Sequence, residues 1–265
     1  MDIVFERRGE GPPLVLLHGI GHRWQAWEPV FDLLAAERDV IAVDLPGFGA
    51  SPALDEGSSY AIETVVERLA EAFDRLGLVR PHIAGNSLGG LFALEAADRG
   101  LVSSATALSP AGFYDEAGFR YATTVLRAMR LGASVPGALL ERILASPMQR
   151  SLMFRMLYGR PHLVDPDVLV ADAKAMAKAP GFEKTVKAGR GVRFAGKLLD
   201  VPVTIAWGTR DRILPTSQAL RARALLPHVE HVWLPGCGHI PMSDDPAMVA
   251  SVILRTSSAL APAGT

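Results

Sequence analysis

Residues 82–90 read His82-Ile83-Ala84-Gly85-Asn86-Ser87-Leu88-Gly89-Gly90, and this stretch decides the fold. Residues 82–84 carry a short apolar strand signal, and residues 88–98 predict a helix. Gly85-Asn86-Ser87-Leu88-Gly89 is therefore a G-x-S-x-G pattern between strand and helix, the context that holds a serine on a very tight turn. Glycines two positions either side let strand and helix pack where a Cβ would collide. Such a turn pushes the Ser87 hydroxyl out over the sheet edge. It also puts the Leu88 backbone N–H at a helix N-terminus, where N–H and helix dipole can both face a developing negative charge.

Working outward, residues 3–7 give a short, mixed strand signal. Residues 14–17, after the Gly11-Pro12-Pro13 turn, are the apolar run of a strand buried on both faces. Residues 24–37 predict a helix and 40–43 a strand. Residues 60–76 predict an amphipathic helix, with Ile62, Val65, Val66, Leu69 and Phe73 at 3–4 spacing. A strand at 105–108 closes this block. The alternation resumes with strand 203–207, helix 216–226, strand 229–234 and helix 246–260, and residues 261–265 are expected to fray. This pattern predicts an α/β fold, a mostly parallel sheet flanked by helices.

Residues 112–195 lack strand signals and read as short helices broken by Gly and Pro, rich in Met and aromatic side chains. They predict an all-helical cap inserted between two core segments, 1–111 and 196–265. The insertion holds 13 Lys or Arg against 7 Asp or Glu, while the whole chain of 265 residues holds 27 against 28. A basic lid can steer anionic substrates, although screened surface charge is usually weak.

A net charge of −1 argues against a dedicated nucleic-acid binder. The single Cys237 cannot form an internal disulfide or a multi-cysteine metal site. The charged start MDIVFERRGEG is unlike a secretory signal, and no apolar run of 18 residues exists to span a bilayer. The expected location is the cytoplasm, with no membrane or nucleic-acid partner. No G-x-G-x-x-G follows a strand, and neither G-x-x-x-x-G-K-[ST] nor H-E-x-x-H occurs, so no cofactor or metal is expected.

A serine hydroxyl at neutral pH needs a base. His239, in Gly236-Cys237-Gly238-His239-Ile240-Pro241, lies just past the last strand, where a side chain reaches the C-terminal sheet edge. His18 ends the strand at 14–17 near the same edge, and His22 could line a pocket mouth. An orienting acid is found at Asp211, immediately after strand 203–207 and on the same edge as Ser87 and His239. Asp44 more naturally stabilises its own Asp44-Leu45-Pro46-Gly47 turn. For a tetrahedral oxyanion, the backbone N–H of Ile20, in His18-Gly19-Ile20-Gly21, is the natural second donor beside Leu88.

With these residues in view, the sequence resembles the α/β-hydrolase fold superfamily, in its branch of small lidded hydrolases. The matching stretches are 18–21 with Trp27 downstream, 44–51 (DLPGFGAS), 85–90 (GNSLGG), 208–215 (GTRDRILP) and 236–241 (GCGHIP). The order Ser87, Asp211, His239 is that superfamily's order. The resemblance implies Ser87 as nucleophile, His239 as base, Asp211 as its orienter, and Ile20 and Leu88 as oxyanion donors. It also implies that residues 112–195 form the substrate-selecting cap, and that His18 and Trp27 hold the oxyanion loop without entering the chemistry.

The chain departs from the pattern in three places. Members commonly carry two antiparallel strands before the His-Gly strand, and the first of them is expected to be missing here. His22 and Arg23 stand where carbon–carbon bond hydrolases often have Pro-Gly. Ser87 stands where haloalkane dehalogenases and epoxide hydrolases use aspartate. The expected activity is hydrolysis of a small or medium ester, thioester or lactone through an acyl-enzyme on Ser87. Its partner would be a largely apolar small molecule, with His22, Phe113, Tyr114, Met153 and Ile240 as candidate pocket residues. Competing readings are a carbon–carbon bond hydrolase of a vinylogous ketone, a slow-turnover small-molecule receptor and an acyltransferase to an acceptor other than water.

Overall fold

Strand β1 (Phe5–Arg8) is partly exposed, whereas β2 (Pro13–Leu17) buries Leu14, Val15, Leu16 and Leu17 in succession. Only a sheet covered on both faces accommodates such a run. In the computed structural model, which describes residues 3–198 and 200–259, β2 lies between β3 (Asp39–Val43) and β4 (His82–Asn86) and is parallel to both. β5 (Ser104–Leu108), β6 (Val203–Gly208) and β7 (Glu230–Leu234) extend the parallel sheet beyond β4, and β1 closes the other edge antiparallel to β3. The strand order is β1-β3-β2-β4-β5-β6-β7. One antiparallel strand thus precedes the His-Gly strand among the described residues.

The order places the site. From β2 the chain crosses to β3 on one side, and β4 then returns to the other side of β2. Loops leaving β2 and β4 therefore part at a topological switch point, and a crevice opens at the carboxyl ends of the strands. The registers Leu17↔Gly85, Asn86↔Leu108 and Leu108↔Ala206 bring the ends of β2, β4, β5 and β6 to that one edge.

Helices cover the sheet. α1 (Glu28–Ala35) packs on α11 (Pro246–Ser258), α2 (Ile62–Arg75) packs on α3 (Leu88–Asp98), and β5, buried throughout, touches both pairs. α2 buries Val65, Val66, Leu69 and Phe73, the stripe its periodicity predicts. Residues 24–37 do not form one helix. A 3₁₀ turn at Trp24–Trp27 leads into α1, because Pro29 has no N–H to donate and fits only the first turn of a helix. At the other end, Pro246 separates the short α10 (Pro241–Asp244) from α11. Residues 260–265, the end of the helix and tail expected there, lie outside the described residues.

Between β5 and β6 stand α4 (Glu116–Gly132), α5 (Gly137–Leu144), α6 (Pro147–Phe154), α7 (Pro166–Lys178) and α8 (Phe182–Ala188). Side-chain caps set the starts of α4 and α7: Asp115 accepts from Gly118 N at 2.7 Å and Asp165 from Asp167 N at 2.8 Å. α9 (Thr216–Leu225) links β6 to β7. No helix among the described residues is long and apolar enough to cross a membrane.

Candidate active site

Ser87 separates β4 from α3 with φ 56° and ψ −112°, a conformation a non-glycine residue adopts at a cost of about 1–3 kcal/mol. The strain is held from all sides. Ser87 N donates to Leu108 O (2.9 Å), and Ser87 O accepts from Leu91 N (3.1 Å) and Ala111 N (3.0 Å). A Cβ on Gly85 would strike the Gly89 carbonyl, and one on Gly89 would strike the Leu17 carbonyl. The two glycines of the pattern are thus required by close backbone approach. A Cβ on Gly19 would come within 3.3 Å of Ser87 Cβ, so the loop leaving β2 lies directly against the serine. Leu88 begins α3, so its N–H has no preceding turn to donate to.

Across the crevice, Asp211 follows β6 and His239 follows β7. Asp211 Oδ1 accepts from Ile213 N (2.9 Å) and Leu214 N (2.8 Å), and Oδ2 accepts from His239 Nδ1 (2.8 Å). Both side chains are buried, that of Asp211 completely. A carboxylate held by two backbone donors has one oxygen left to fix the imidazole, and it fixes it with Nδ1 as donor. Sequence reasoning missed the residue that ties the histidine to the serine strand. Asn86 Nδ2 donates to His239 O (2.9 Å) and to Leu108 O (3.1 Å). The pattern leaves this position unspecified, so only a buried polar residue beside Ser87 could have signalled it.

Asp244 is a second missed residue. Its carboxylate accepts from Gly238 N (2.7 Å), Gly159 N (2.8 Å) and Arg160 N (2.8 Å), and Ile240 N donates to Leu157 O (3.0 Å). The loop that carries His239 is therefore stapled to the segment after α6. Asp245 already caps α11 through Met248 N, so the adjacent Asp244 was the surplus acid of the Asp-Asp-Pro signal.

The other histidines near the edge divide. His18 is fully buried, its Nδ1 donates to Gly19 O (2.7 Å) and its Nε2 accepts from Leu45 N (3.0 Å). Burial pushes its pKa down to about 3, so it is a neutral strut between two loops. Asp44 accepts from Ala50 N (2.8 Å) in its own turn, as expected, and also from Trp24 N (2.6 Å), which ties that turn to the 3₁₀ segment after β2; burial raises its pKa. Cys237 is buried, and burial lifts its thiol to about 12, which keeps it protonated and inert at neutral pH.

A cavity of about 170 Å³ lies under the inserted helices, lined mainly by apolar side chains including Met129, Leu140, Met153, Phe154 and Met176. His22, Tyr158 and Asp172 add polar groups to its wall. Of the candidate pocket residues, His22 and Met153 line this cavity and Phe113, Tyr114 and Ile240 do not. Phe113 packs in the core against Phe194 and Trp207, Tyr114 against Phe119 with Arg193 over its ring, and Ile240 is buried in the hydrophobic core. Among the described residues, no three His, Cys, Asp or Glu side chains gather as a metal ion needs.

Comparison with known proteins bears on this arrangement. The profile of the alpha/beta hydrolase family matches residues 14–252. A dihydrolipoyllysine-residue acetyltransferase component of an acetoin cleaving system, from Pseudomonas putida, is 30% identical over 249 residues. The match takes in 89% of this chain but 61% of that protein, so the chain spans under two thirds of that relative. A pimeloyl-[acyl-carrier protein] methyl ester esterase from Aeromonas salmonicida is 43% identical over 97 residues, 37% of this chain and 36% of the esterase. Among solved structures, a bacterial membrane phospholipase A superposes with a TM-score of 0.76 at 25% identity, covering 97% of this chain and 84% of its own.

Proposed function

The chain belongs to the alpha/beta hydrolase family, and from that premise we propose that it is a serine hydrolase of carboxylic esters, thioesters or lactones, working through an acyl-enzyme on Ser87. The observation that carries this reading is a single connected unit. A strained serine on its elbow neighbours Asn86, Asn86 holds the His239 carbonyl, and His239 Nδ1 is bonded to Asp211 at 2.8 Å. The partial identity with a methyl ester esterase supports an ester as the substrate class.

In this reading Ser87 Oγ attacks the carbonyl carbon as its proton passes to His239 Nε2. The oxyanion takes hydrogen bonds from Ile20 N–H and Leu88 N–H, each worth roughly 10²–10³ in rate. Asp211 keeps the Nδ1 proton in place and stabilises the imidazolium. His239 then protonates the leaving alkoxide or thiolate. Water, deprotonated by the same imidazole, attacks the acyl-enzyme and releases the acid. Residues 112–195 serve as a cap over a core of 1–111 and 196–265, and the apolar cavity beneath it takes one end of the substrate.

Purified protein should hydrolyse p-nitrophenyl esters across a series of acyl lengths. Ser87→Ala should lower kcat by roughly 10⁴-fold or more with its fold intact by circular dichroism. A Ser87→Ala protein retaining wild-type turnover would overturn the reading.

A further inference from the structure

The cavity under the inserted helices is apolar except where His22, Asp172 and Tyr158 meet it. His22 is 92% buried, at 8% exposure, and its Nδ1 is buried with no hydrogen-bond partner among the described residues. The Asp172 side chain is 11% exposed, and its Oδ1 is likewise buried without a hydrogen bond among the described residues. Its nearest charge is Arg23, with Nη2 at 3.3 Å from Oδ1 but not aligned as a hydrogen bond. An imidazole nitrogen and a carboxylate oxygen left without a hydrogen bond in an otherwise apolar wall are costly, and an apolar occupant would leave that cost in place. Their position is tied to the reacting centre. His22 N donates to Gly19 O (3.1 Å), and Gly19 is the residue that lies against Ser87.

The chemistry of the pair selects its ligand. The Asp172 carboxylate, with Arg23 beside it, only accepts hydrogen bonds. His22 is held neutral by burial, so it offers one donor and one acceptor. A carboxylate ligand would meet Asp172 with like charge. An ammonium would meet Arg23 with like charge and leave the imidazole N–H unanswered. An alcohol satisfies both, because its O–H can donate to Asp172 while its oxygen accepts from His22.

We propose that His22 and Asp172, with Tyr158 on the same wall, form a hydroxyl-recognising subsite, so that the favoured substrate carries a hydroxyl on the otherwise apolar chain that enters the cavity. The inference rests on the hydrolase reading only in calling that ligand a substrate, since the subsite itself can be read by binding alone. His22 and Asp172 are specificity-determining residues here and take no part in bond making.

The test uses two sets of probes: methyl hexanoate with its 3-, 4-, 5- and 6-hydroxy derivatives, and hexyl acetate with the corresponding hydroxyhexyl acetates. At least one hydroxylated member should exceed its parent by about 10-fold or more in kcat/KM. Asp172→Leu and His22→Phe should each abolish that preference, lowering kcat/KM for the hydroxylated ester by about 10-fold more than for its parent. Calorimetric titration of the same probes into Ser87→Ala protein should show the same ranking in Kd. Absence of turnover with intact hydroxyl-selective binding to Ser87→Ala would remove the hydrolase reading and leave the subsite standing. Turnover or binding with no hydroxyl preference in either set would overturn the subsite and leave the hydrolase reading standing. So would Asp172→Leu losing activity equally toward parent and hydroxylated esters, since a merely structural pair acts on all substrates alike.

Discussion

At the scale of single residues, the site is built by withholding freedom from a few side chains. Ser87 is held at positive φ, Asp211 spends one oxygen on two backbone donors, and His18 is locked neutral between the Gly19 carbonyl and the Leu45 N–H. His18 gives a pH signature. Its pKa is about 3 folded against about 6.5 unfolded, so between those values the unfolded chain binds a proton that the folded chain does not. Its contribution is whole above pH 6.5 and is lost as the pH falls toward 3. Urea midpoints for wild type should therefore drop between pH 7 and pH 4.5. His18→Gln should be less stable at pH 7 and show a shallower drop over the same interval. Equal slopes in the two proteins would contradict the burial argument.

At the scale of elements, the loop after β7 is positioned as much by the inserted helices as by the sheet. Asp244 ties Gly238 N to Gly159 N and Arg160 N, and a Cβ on Gly159 would strike the Gly236 carbonyl. Replacing Asp244 by Ala would strand three backbone donors at one place. It should destabilise the fold by roughly 3–5 kcal/mol in urea titrations, with Asp244→Asn intermediate. Ester turnover should fall in parallel, because His239 sits one residue beyond Gly238. Strand and helix placement along the sheet was legible in sequence, because a strand buried on both faces writes a continuous apolar run, as in Leu14–Leu17. α3 begins and ends at the residues its pattern predicts, Leu88 and Asp98. The helix expected at 24–37 failed where Pro29 sets a local rule against the periodicity.

At the scale of the molecule, the candidate site gathers loops from β2, β4, β6 and β7 at one sheet edge, and the order of those loops along the chain was readable from their turn residues. The cavity wall was not. Phe113 and Tyr114 follow β5 and are aromatic, yet they turn into the core against Trp207 and Phe119. Helical periodicity tells which face of a helix is buried and is silent about which neighbour covers it. Asp172 escaped notice for the same reason, as one of two acids on α7 beside Asp167. The claim that joins these scales is that Ser87 is an activated nucleophile. Reaction of the native protein with a fluorophosphonate, followed by peptide mass analysis, tests it most directly. The account predicts a single phosphonyl adduct on the peptide bearing Ser87, lost in Ser87→Ala and slowed at least 10-fold in His239→Ala. A protein that stays unlabelled at Ser87, or that labels equally well without His239, would contradict it.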